Sequence, residues 1–353
     1  MLSRVKNNAA IFLADALSGK IQPLPTNVSW DEVTQLATAG RVEPMLLRAL
    51  DKQLPEHAKN SLKAGADKAA FIGLRSLQER DRVLAALQNA EISPAVLLKG
   101  AVLGWLIYPD PLLRPMNDID ILLPKKQMDD AEAALMGLGY QKVSMFEGRP
   151  VSEREYHERA YYRYLVPGKV VQLIELHSGF SQSFRFNVPY TDVLQRAQPF
   201  EQGGPGAYRL DENDQLIHLA IHLACMKFQG PLKHLLDIHL WIDNKAINWD
   251  SIIPRATDWG AATSLCQSLW LSRQVFGTAI PEHVLERLGA QGLRGRLLKW
   301  WHTPRNGQMT RWSVSPSLVQ VMTQLPLLDT QRQRARFLWH YLRQRAGDWL
   351  STH

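Results

Sequence analysis

The chain has 353 residues, enough for two or three domains of ordinary size and for a large buried core. Its composition, 45% hydrophobic and 21% charged, excludes a largely disordered chain. With 41 lysines and arginines against 34 aspartates and glutamates, the net charge is +7, which favours an anionic partner without identifying it.

The cysteine content and the hydropathy pattern bear on the compartment. Two cysteines, Cys225 and Cys266, are too few for a disulfide framework or a cysteine-rich zinc site, so buried thiols in a reducing compartment are expected. Asp15 interrupts the short apolar run near the N-terminus, and the most apolar run, residues 95–108, is too short to cross a bilayer. We therefore expect a cytoplasmic protein without a signal peptide or membrane segment.

Residues 1–92 are predicted to form a helical region. Ser29 precedes two acids and is a typical helix N-cap. Residues 57–89 carry apolar side chains near helical spacing without an internal cap, which predicts one long helix. The pattern changes at the dipeptide Ser93-Pro94, where this region is expected to end.

Residues 93–205 are predicted to form an α/β unit with a small mixed sheet. Apolar runs bounded by proline or glycine indicate buried strands, and alternation around Pro167-Gly168 indicates a hairpin. The predicted strands are 95–99, 118–123, 140–143, 161–166 and 170–176, and the predicted helices are 100–108 and 127–138. Residues 206–353 follow as a helical domain whose first helix is capped by the acidic run 211–214.

Three acids are candidate metal ligands. Asp118 and Asp120 share one face of a predicted strand, while Ile119 between them points to the core. Two neighbouring carboxylates repel each other, so a cation is expected between them, and Mg²⁺ prefers such oxygen ligands. Glu175, on another predicted strand, supplies a third carboxylate for a two-metal site of in-line phosphoryl or nucleotidyl transfer.

A candidate phosphate site lies next to these acids. Gly100 stands where a strand turns into a helix, so that the backbone can approach an anion and the free N–H groups of the helix can face it. Lys99 and Arg114 add positive charge for triphosphate oxygens. Asn117 is added to this nucleotide-binding set for its place beside Asp118.

His177 shares the face of Glu175 and is assigned to the nucleotide-binding set, as a substrate contact or a base, with a structural role as the alternative. His218 and His222 have helical spacing for a metal, but no third ligand follows, so structural roles are expected. Asp237 has two interpretations, facing the nucleotide or belonging to an ordinary polar helix face.

These motifs resemble the NTP_transf_5 group of bacterial nucleotidyltransferases, within the superfamily that includes DNA polymerase β. The resemblance spans roughly residues 30–280 and is most specific over 97–177. Its motifs are Leu98-Lys99-Gly100-Ala101, Tyr108-Pro109, the run 114–123 (Arg-Pro-Met-Asn-Asp-Ile-Asp-Ile-Leu-Leu), Leu138-Gly139-Tyr140 and Ile174-Glu175-Leu176-His177. It implies a nucleotidyltransferase fold, metal binding by Asp118, Asp120 and Glu175, and triphosphate contact near Gly100.

One position departs from the superfamily pattern. The first turn usually carries Gly-Ser or Gly-Gly, whereas this chain has Lys99-Gly100 followed by Ala101. A serine hydroxyl for the phosphate is therefore missing, and Lys99 or Arg114 is the candidate substitute.

The leading hypothesis is an enzyme that uses Mg²⁺, with Mn²⁺ as the alternative metal, to transfer a nucleoside monophosphate from a nucleoside triphosphate to an acceptor. The acceptor is a small molecule, a protein or peptide side chain, or an RNA end. The runner-up is a catalytically decayed module that binds nucleotide or nucleic acid in a regulatory or antitoxin-like role. No recognisable RNA-binding motif accompanies the positive charge, so stable nucleic-acid binding and membrane binding are not expected.

Overall fold

The computed structural model describes residues 8–143, 157–166, 170–180, 184–289, 295–296, 298, 321 and 324–352. Pro167-Gly168, the predicted turn of the hairpin, lies outside these residues. Within them, no helix combines the length and the hydropathy that a membrane span requires.

The chain begins with the predicted helices. They are α1 (Asn8–Leu17), α2 (Trp30–Gly40), α3 (Glu43–Leu50) and α4 (Glu56–Asn89). Ser29 caps α2 in a capping box, in which its side chain accepts from the Glu32 N–H and the Glu32 carboxylate accepts from the Ser29 N–H. The long helix expected over residues 57–89 is confirmed as α4, which buries Leu62, Val83 and Leu87 along one side.

Seven strands of the described residues form one mixed sheet in the order β3-β4-β5-β2-β1-β7-β6. The strands are β1 (Ala95–Leu97), β2 (Asp118–Leu122), β3 (Gln141–Lys142), β4 (Glu158–Val166), β5 (Val170–His177), β6 (Gln198–Pro199) and β7 (Ala207–Arg209). β2 pairs with β1 in antiparallel and with β5 in parallel orientation, so it is the central strand of the candidate site. The predicted hairpin is confirmed as the antiparallel pair β4 and β5.

The other described helices follow α4 in the chain. They are α5 (Gly100–Ile107), α6 (Met128–Gly137), α7 (Tyr190–Gln195), α8 (Glu212–Cys225), α9 (Leu232–Asn244), α10 (Trp249–Asp258), α11 (Ala262–Phe276), α12 (Glu282–Arg287) and α13 (Gln331–Thr352). Asp211 caps α8 as expected, since its carboxylate accepts from the Asp214 N–H at 2.7 Å. Cys225 and Cys266 form no disulfide with each other.

The alternation of β2 divides the sheet into a core face and a polar face. Ile119 and Ile121 are fully buried on the core face, together with Ile174 and Leu176 of β5. A second apolar core joins α1–α3 to α8–α11 and reaches the sheet at Val96. Because both helical regions share this core with the sheet, the three-region division at 92/93 and 205/206 stays a prediction, and β7 lies just past its second boundary.

Candidate active site

The register of the sheet places the predicted acids side by side. In the parallel pair of β2 and β5, Asp120 lies opposite Glu175 and Leu122 opposite His177. Side chains of a strand point alternately to opposite faces, so Asp118, Asp120, Glu175 and His177 all project from the polar face. One ligand atom each of Asp120, Glu175 and His177 lies within 4.8 Å of the others.

Asp120 is held by two cationic partners through a single oxygen. The Lys99 ammonium donates to Oδ1 at 2.6 Å, and His177 Nε2 lies 2.8 Å from the same atom. His177 Nε2 also lies 3.6 Å from Glu175 Oε2. The positive charge that neutralises Asp120 is therefore supplied, in this structure, by the protein's own lysine and histidine.

These partners set the protonation of the cluster. Burial alone would raise the pKa of Asp120, but Lys99 and His177 lower that pKa well below its ordinary value. Burial alone would lower the pKa of His177, but hydrogen bonds to Asp120 and Glu175 raise it to about 9. The site thus holds an ionised Asp120 between a charged lysine and a protonated histidine.

Asp118 differs from Asp120 although both lie on the same strand face. It is only half-buried and has no ion pair with the described residues. Burial and the neighbouring Asp120 raise the pKa of Asp118, against the opposing charges of Lys99, Lys233 and Arg114. A bound cation would remove this repulsion, so Asp118 is the acid of the pair that lacks a counter-ion.

The turn between β1 and α5 is tight and strained. Lys99 has φ +46° and ψ −120°, a backbone region that favours glycine and costs other residues about 1–3 kcal/mol. A Cβ on Gly100 would stand 2.8 Å from Arg114 Nη1 and 3.0 Å from Met116 Cγ. Glycine at position 100 therefore allows the Arg114 side chain to lie against the first residue of α5.

Arg114, predicted to contact phosphate, is engaged by a carboxylate of α9. Its Nε donates to Asp237 Oδ1 at 2.9 Å and its Nη2 to Asp237 Oδ2 at 2.7 Å, and both side chains are buried. The Tyr108 hydroxyl donates to Asp237 Oδ1 at 2.8 Å. Only Nη1, beside Gly100, lies outside the bidentate pair, so Arg114 mainly ties the loop before β2 to α9.

Lys233 makes a second connection from α9 to the same loop. Its ammonium donates to the Pro115 carbonyl at 2.8 Å, and burial, with Arg114 and Arg41 nearby, lowers the pKa of Lys233 to about 7. The sequence-based interpretations of Asp237 missed its pairing with Arg114. A usable signal was its place within the apolar run Leu235-Leu236-Asp237-Ile238, since a buried aspartate needs a partner.

The helical histidines lie behind the polar face of the sheet. Burial lowers the pKa of His218 to about 3 and holds the pKa values of His222 and His234 well below the ordinary value. The rings of His222 and His234 meet edge to face with centroids 4.9 Å apart, and His218 packs on Phe180 at 4.6 Å. Their low pKa values favour neutral rings, and His218 Nδ1 and His222 Nε2 are buried without a hydrogen-bond partner among the described residues. The structural roles stay a prediction.

The structure brings most of the predicted site residues together. Asp120, Glu175, His177 and Lys99 form one cluster, Asp118 and Gly100 lie at its edge, and Asn117 is exposed beside Asp118. Carboxylate oxygens suit Mg²⁺ or Mn²⁺, and Asp120 Oδ2 stands outside both cation contacts. The ligand atoms that lie within 4.8 Å of one another belong to Asp120, Glu175 and His177, and Asp118 is not in this group. The roles of these residues stay predictions.

Comparison with known proteins identifies the family of the chain. No curated protein and no solved structure gives a significant match. A family model described as an uncharacterised nucleotidyltransferase, NTP_transf_5, matches residues 26–277, more than half of the chain. The chain belongs to this family of nucleotidyltransferases, as its motifs led us to expect.

Proposed function

We propose that this protein is a Mg²⁺-dependent nucleotidyltransferase that moves a nucleoside monophosphate from a nucleoside triphosphate to an acceptor hydroxyl or phosphate and releases pyrophosphate. The observation that carries the proposal is the pairing of Asp120 with Glu175 in adjacent parallel strands, with Asp118 on the same face. Membership of a nucleotidyltransferase family supports the reaction class.

Asp118, Asp120 and Glu175 are the residues that would hold the metal. When bound there, Mg²⁺ would neutralise charge on the phosphates and favour the ionised form of the attacking acceptor oxygen. In this structure the Lys99 ammonium donates a hydrogen bond to Asp120 Oδ1. With a nucleotide present, its positive charge is in place to contact a phosphate oxygen.

The chain's own residues then have distinct tasks. The acceptor oxygen attacks the α-phosphorus, the bond from that phosphorus to the bridging oxygen of the β-phosphate breaks, and the electron pair leaves with pyrophosphate. Glu175, partly exposed beside Asp120, would take the acceptor's proton. The free N–H groups at the start of α5 would hold the phosphates in line.

One observation also favours the second candidate, a nucleotide-binding module without catalysis. Lys99 and His177 neutralise Asp120 without a metal, so the clustered acids by themselves do not require one. The two candidates differ in what happens to a bound nucleotide, since only the enzyme cleaves it.

The test is a titration of ATP, GTP, CTP and UTP with and without Mg²⁺, on the wild type and on Asp118→Ala/Asp120→Ala, followed by a search for labelled product with α-labelled nucleotides and a host-cell extract. We expect Mg²⁺-dependent binding that the double variant loses, together with pyrophosphate release. Equal binding by both proteins would contradict the metal site. Mg²⁺-dependent binding without any pyrophosphate release would favour the non-catalytic module.

A further inference from the structure

A concave region of the described residues lies between the N-terminal helices and the sheet. It is a cleft with a volume of about 690 Å³, within the range of small-molecule sites. Its walls come from the C-terminal end of α2, the start of α3, the middle of α4, the loop before β2 and the start of β5. Asn117 lines the cleft and immediately precedes Asp118, so the cleft opens where β2 begins.

Three cationic side chains line this cleft: Arg41 from the end of α2, and Lys68 and Arg75 from α4. None of them has a carboxylate within 4.0 Å among the residues that the structure describes. This contrasts with Arg114 and Lys99, which are ion-paired with buried acids. Cationic side chains that lack an ion pair and converge on one cavity favour an anionic ligand.

Arg41 adds a backbone argument. It stands at the C-terminal end of α2 with φ +55° and ψ +47°, where glycine or asparagine is usual because other residues are strained. The strained conformation leaves the guanidinium on the wall of the cleft. The left-handed conformation of Arg41 lowers the stability of the fold, while its positive charge can bind an anionic ligand.

The remaining lining residues narrow the class of ligand. Glu43 also lines the cleft, so two positive charges remain in excess when all four groups are ionised. That excess matches a phosphomonoester dianion, and guanidinium groups suit phosphate oxygens. Phe71 is half-exposed in the cleft with the Arg75 guanidinium 5.3 Å from its ring centroid, which offers a flat surface to the rest of the ligand.

We propose that this cleft binds the acceptor substrate, and that the acceptor is a small molecule carrying a phosphomonoester. The proposal rests on the proposed nucleotidyl transfer and gives its acceptor a chemical class. Lys99 and Gly100, the residues assigned to the triphosphate, do not line the cleft, so the two substrates would approach Asp118 from different sides. The enclosed volume suits a small molecule better than a nucleic acid, which needs an extended basic surface.

The test uses phenyl phosphate as the probe, with phenol as its uncharged analogue, in calorimetric titrations of the full-length protein. Arg41→Gln/Arg75→Gln is the test variant, and Lys63→Gln, an exposed lysine of the same helix outside the cleft, is the control. We expect the test variant to lose affinity for phenyl phosphate by at least about tenfold and the control to stay within about twofold. Thermal unfolding by circular dichroism verifies that both variants fold.

Four outcomes separate this proposal from the alternatives. Nucleotide binding that persists in the test variant, together with phenyl phosphate binding to the nucleotide-saturated protein, supports a separate acceptor site. Unchanged phenyl phosphate affinity in the test variant overturns the proposal, as does exclusion of the probe by bound nucleotide, because the cleft would then hold the triphosphate. Binding of a 5′-phosphorylated RNA oligonucleotide without binding of phenyl phosphate also overturns it.

The proposed function has its own readout in the same experiment. A wild type that binds no nucleotide with Mg²⁺ but binds phenyl phosphate through Arg41 and Arg75 would contradict the proposed nucleotidyl transfer. It would still support a phosphate-binding cleft. The two proposals therefore fail separately.

Discussion

Two buried carboxylates of this molecule, Asp120 and Asp237, are both paired with cations but in different ways. Asp237 accepts from Arg114 on both of its oxygens and from the Tyr108 hydroxyl. Asp120 has both of its cations on Oδ1 and lies beside a second acid, Glu175. Both oxygens of Asp237 are therefore bonded within the protein. Asp120 instead belongs to a cluster in which Glu175 and Asp118 are further carboxylates.

The difference distinguishes a structural anchor, the Arg114–Asp237 pair, from a candidate binding site, the cluster around Asp120. A bidentate, buried pair joins distant segments and costs several kcal/mol to break, but offers nothing to a ligand. In the cluster around Asp120, Lys99 and His177 share one carboxylate oxygen. A metal could replace them on that oxygen, and a phosphate could accept from Lys99. Substitutions at each carboxylate or its partner test these separate roles, and two further substitutions test the packing and the buried histidine around them.

The largest effect is expected from breaking the anchor. Arg114→Met leaves Asp237 buried with only Tyr108 as a donor, so the free energy of unfolding should fall by about 3–5 kcal/mol, measured by urea denaturation. The double variant Arg114→Met/Asp237→Leu should recover most of the loss, because no buried charge remains. A single variant as stable as the wild type would show that this pair is not an anchor.

The next effect concerns the site itself. Asp120→Asn and Asp118→Asn each remove a candidate metal ligand, so affinity for nucleotide in the presence of Mg²⁺ should fall by at least about 100-fold. Fluorescence titration measures this, with Asp130→Asn, an exposed acid of α6, as the control. If either variant bound Mg-nucleotide like the control, the assignment of that acid to the metal would be wrong.

A smaller effect is expected where the two regions meet, at Gly100. A Cβ there would stand 2.8 Å from Arg114 Nη1, and Arg114 cannot yield because Asp237 holds it. Gly100→Ala should therefore lower the free energy of unfolding by about 1–3 kcal/mol. Gly137→Ala is the matched control, since no atom lies within 4 Å of its Cβ position and it should be neutral or stabilising.

The smallest expected effect is the pH dependence of the free energy of unfolding that His222 causes. Burial lowers the pKa of His222 well below its unfolded value of about 6.5, so the unfolded state binds more protons in the acidic range. Above about pH 6.5 His222 is neutral in both states and does not lower the free energy of unfolding. Below that pH the free energy of unfolding falls, because protonation of His222 favours the unfolded state. Between pH 7.5 and 5.5 this histidine should account for about 1 kcal/mol of lost stability.

The measurement is the free energy of unfolding at both pH values for the wild type and His222→Gln. The variant should lose about 1 kcal/mol less than the wild type on acidification. An identical pH dependence in both proteins would mean that His222 is protonated or solvated in the folded state.

Features set by local sequence were predicted from the chain alone. The length of α4 follows from its helical periodicity, the Ser29 cap from its acids, and the orientation of Asp118 and Asp120 from strand alternation. The neighbouring position of Glu175 also followed from alternation and from the resemblance to a family with this motif.

Features that depend on docking between distant segments were not predicted. Arg114 was assigned to phosphate because its partner Asp237 lies 123 positions away on a helix whose packing no local pattern specifies. The shared contact of Lys99 and His177 with one oxygen of Asp120 was not specified either, since the strained turn at Lys99 is a property of the folded chain. The cleft beside Asn117 forms only where five separate segments meet.

The length of α4 has a consequence for motion. Its 34 residues extend about 50 Å without interruption and contact α2 and α3 as well as β2 and α6. Ser76 on this helix donates to Gln172 of β5, and Glu79 accepts from both Tyr140 and Arg163. One rigid rod therefore carries a wall of the cleft and braces the sheet that bears the acids. A shift of this helix would therefore move the wall of the cleft and the contacts to β5 together.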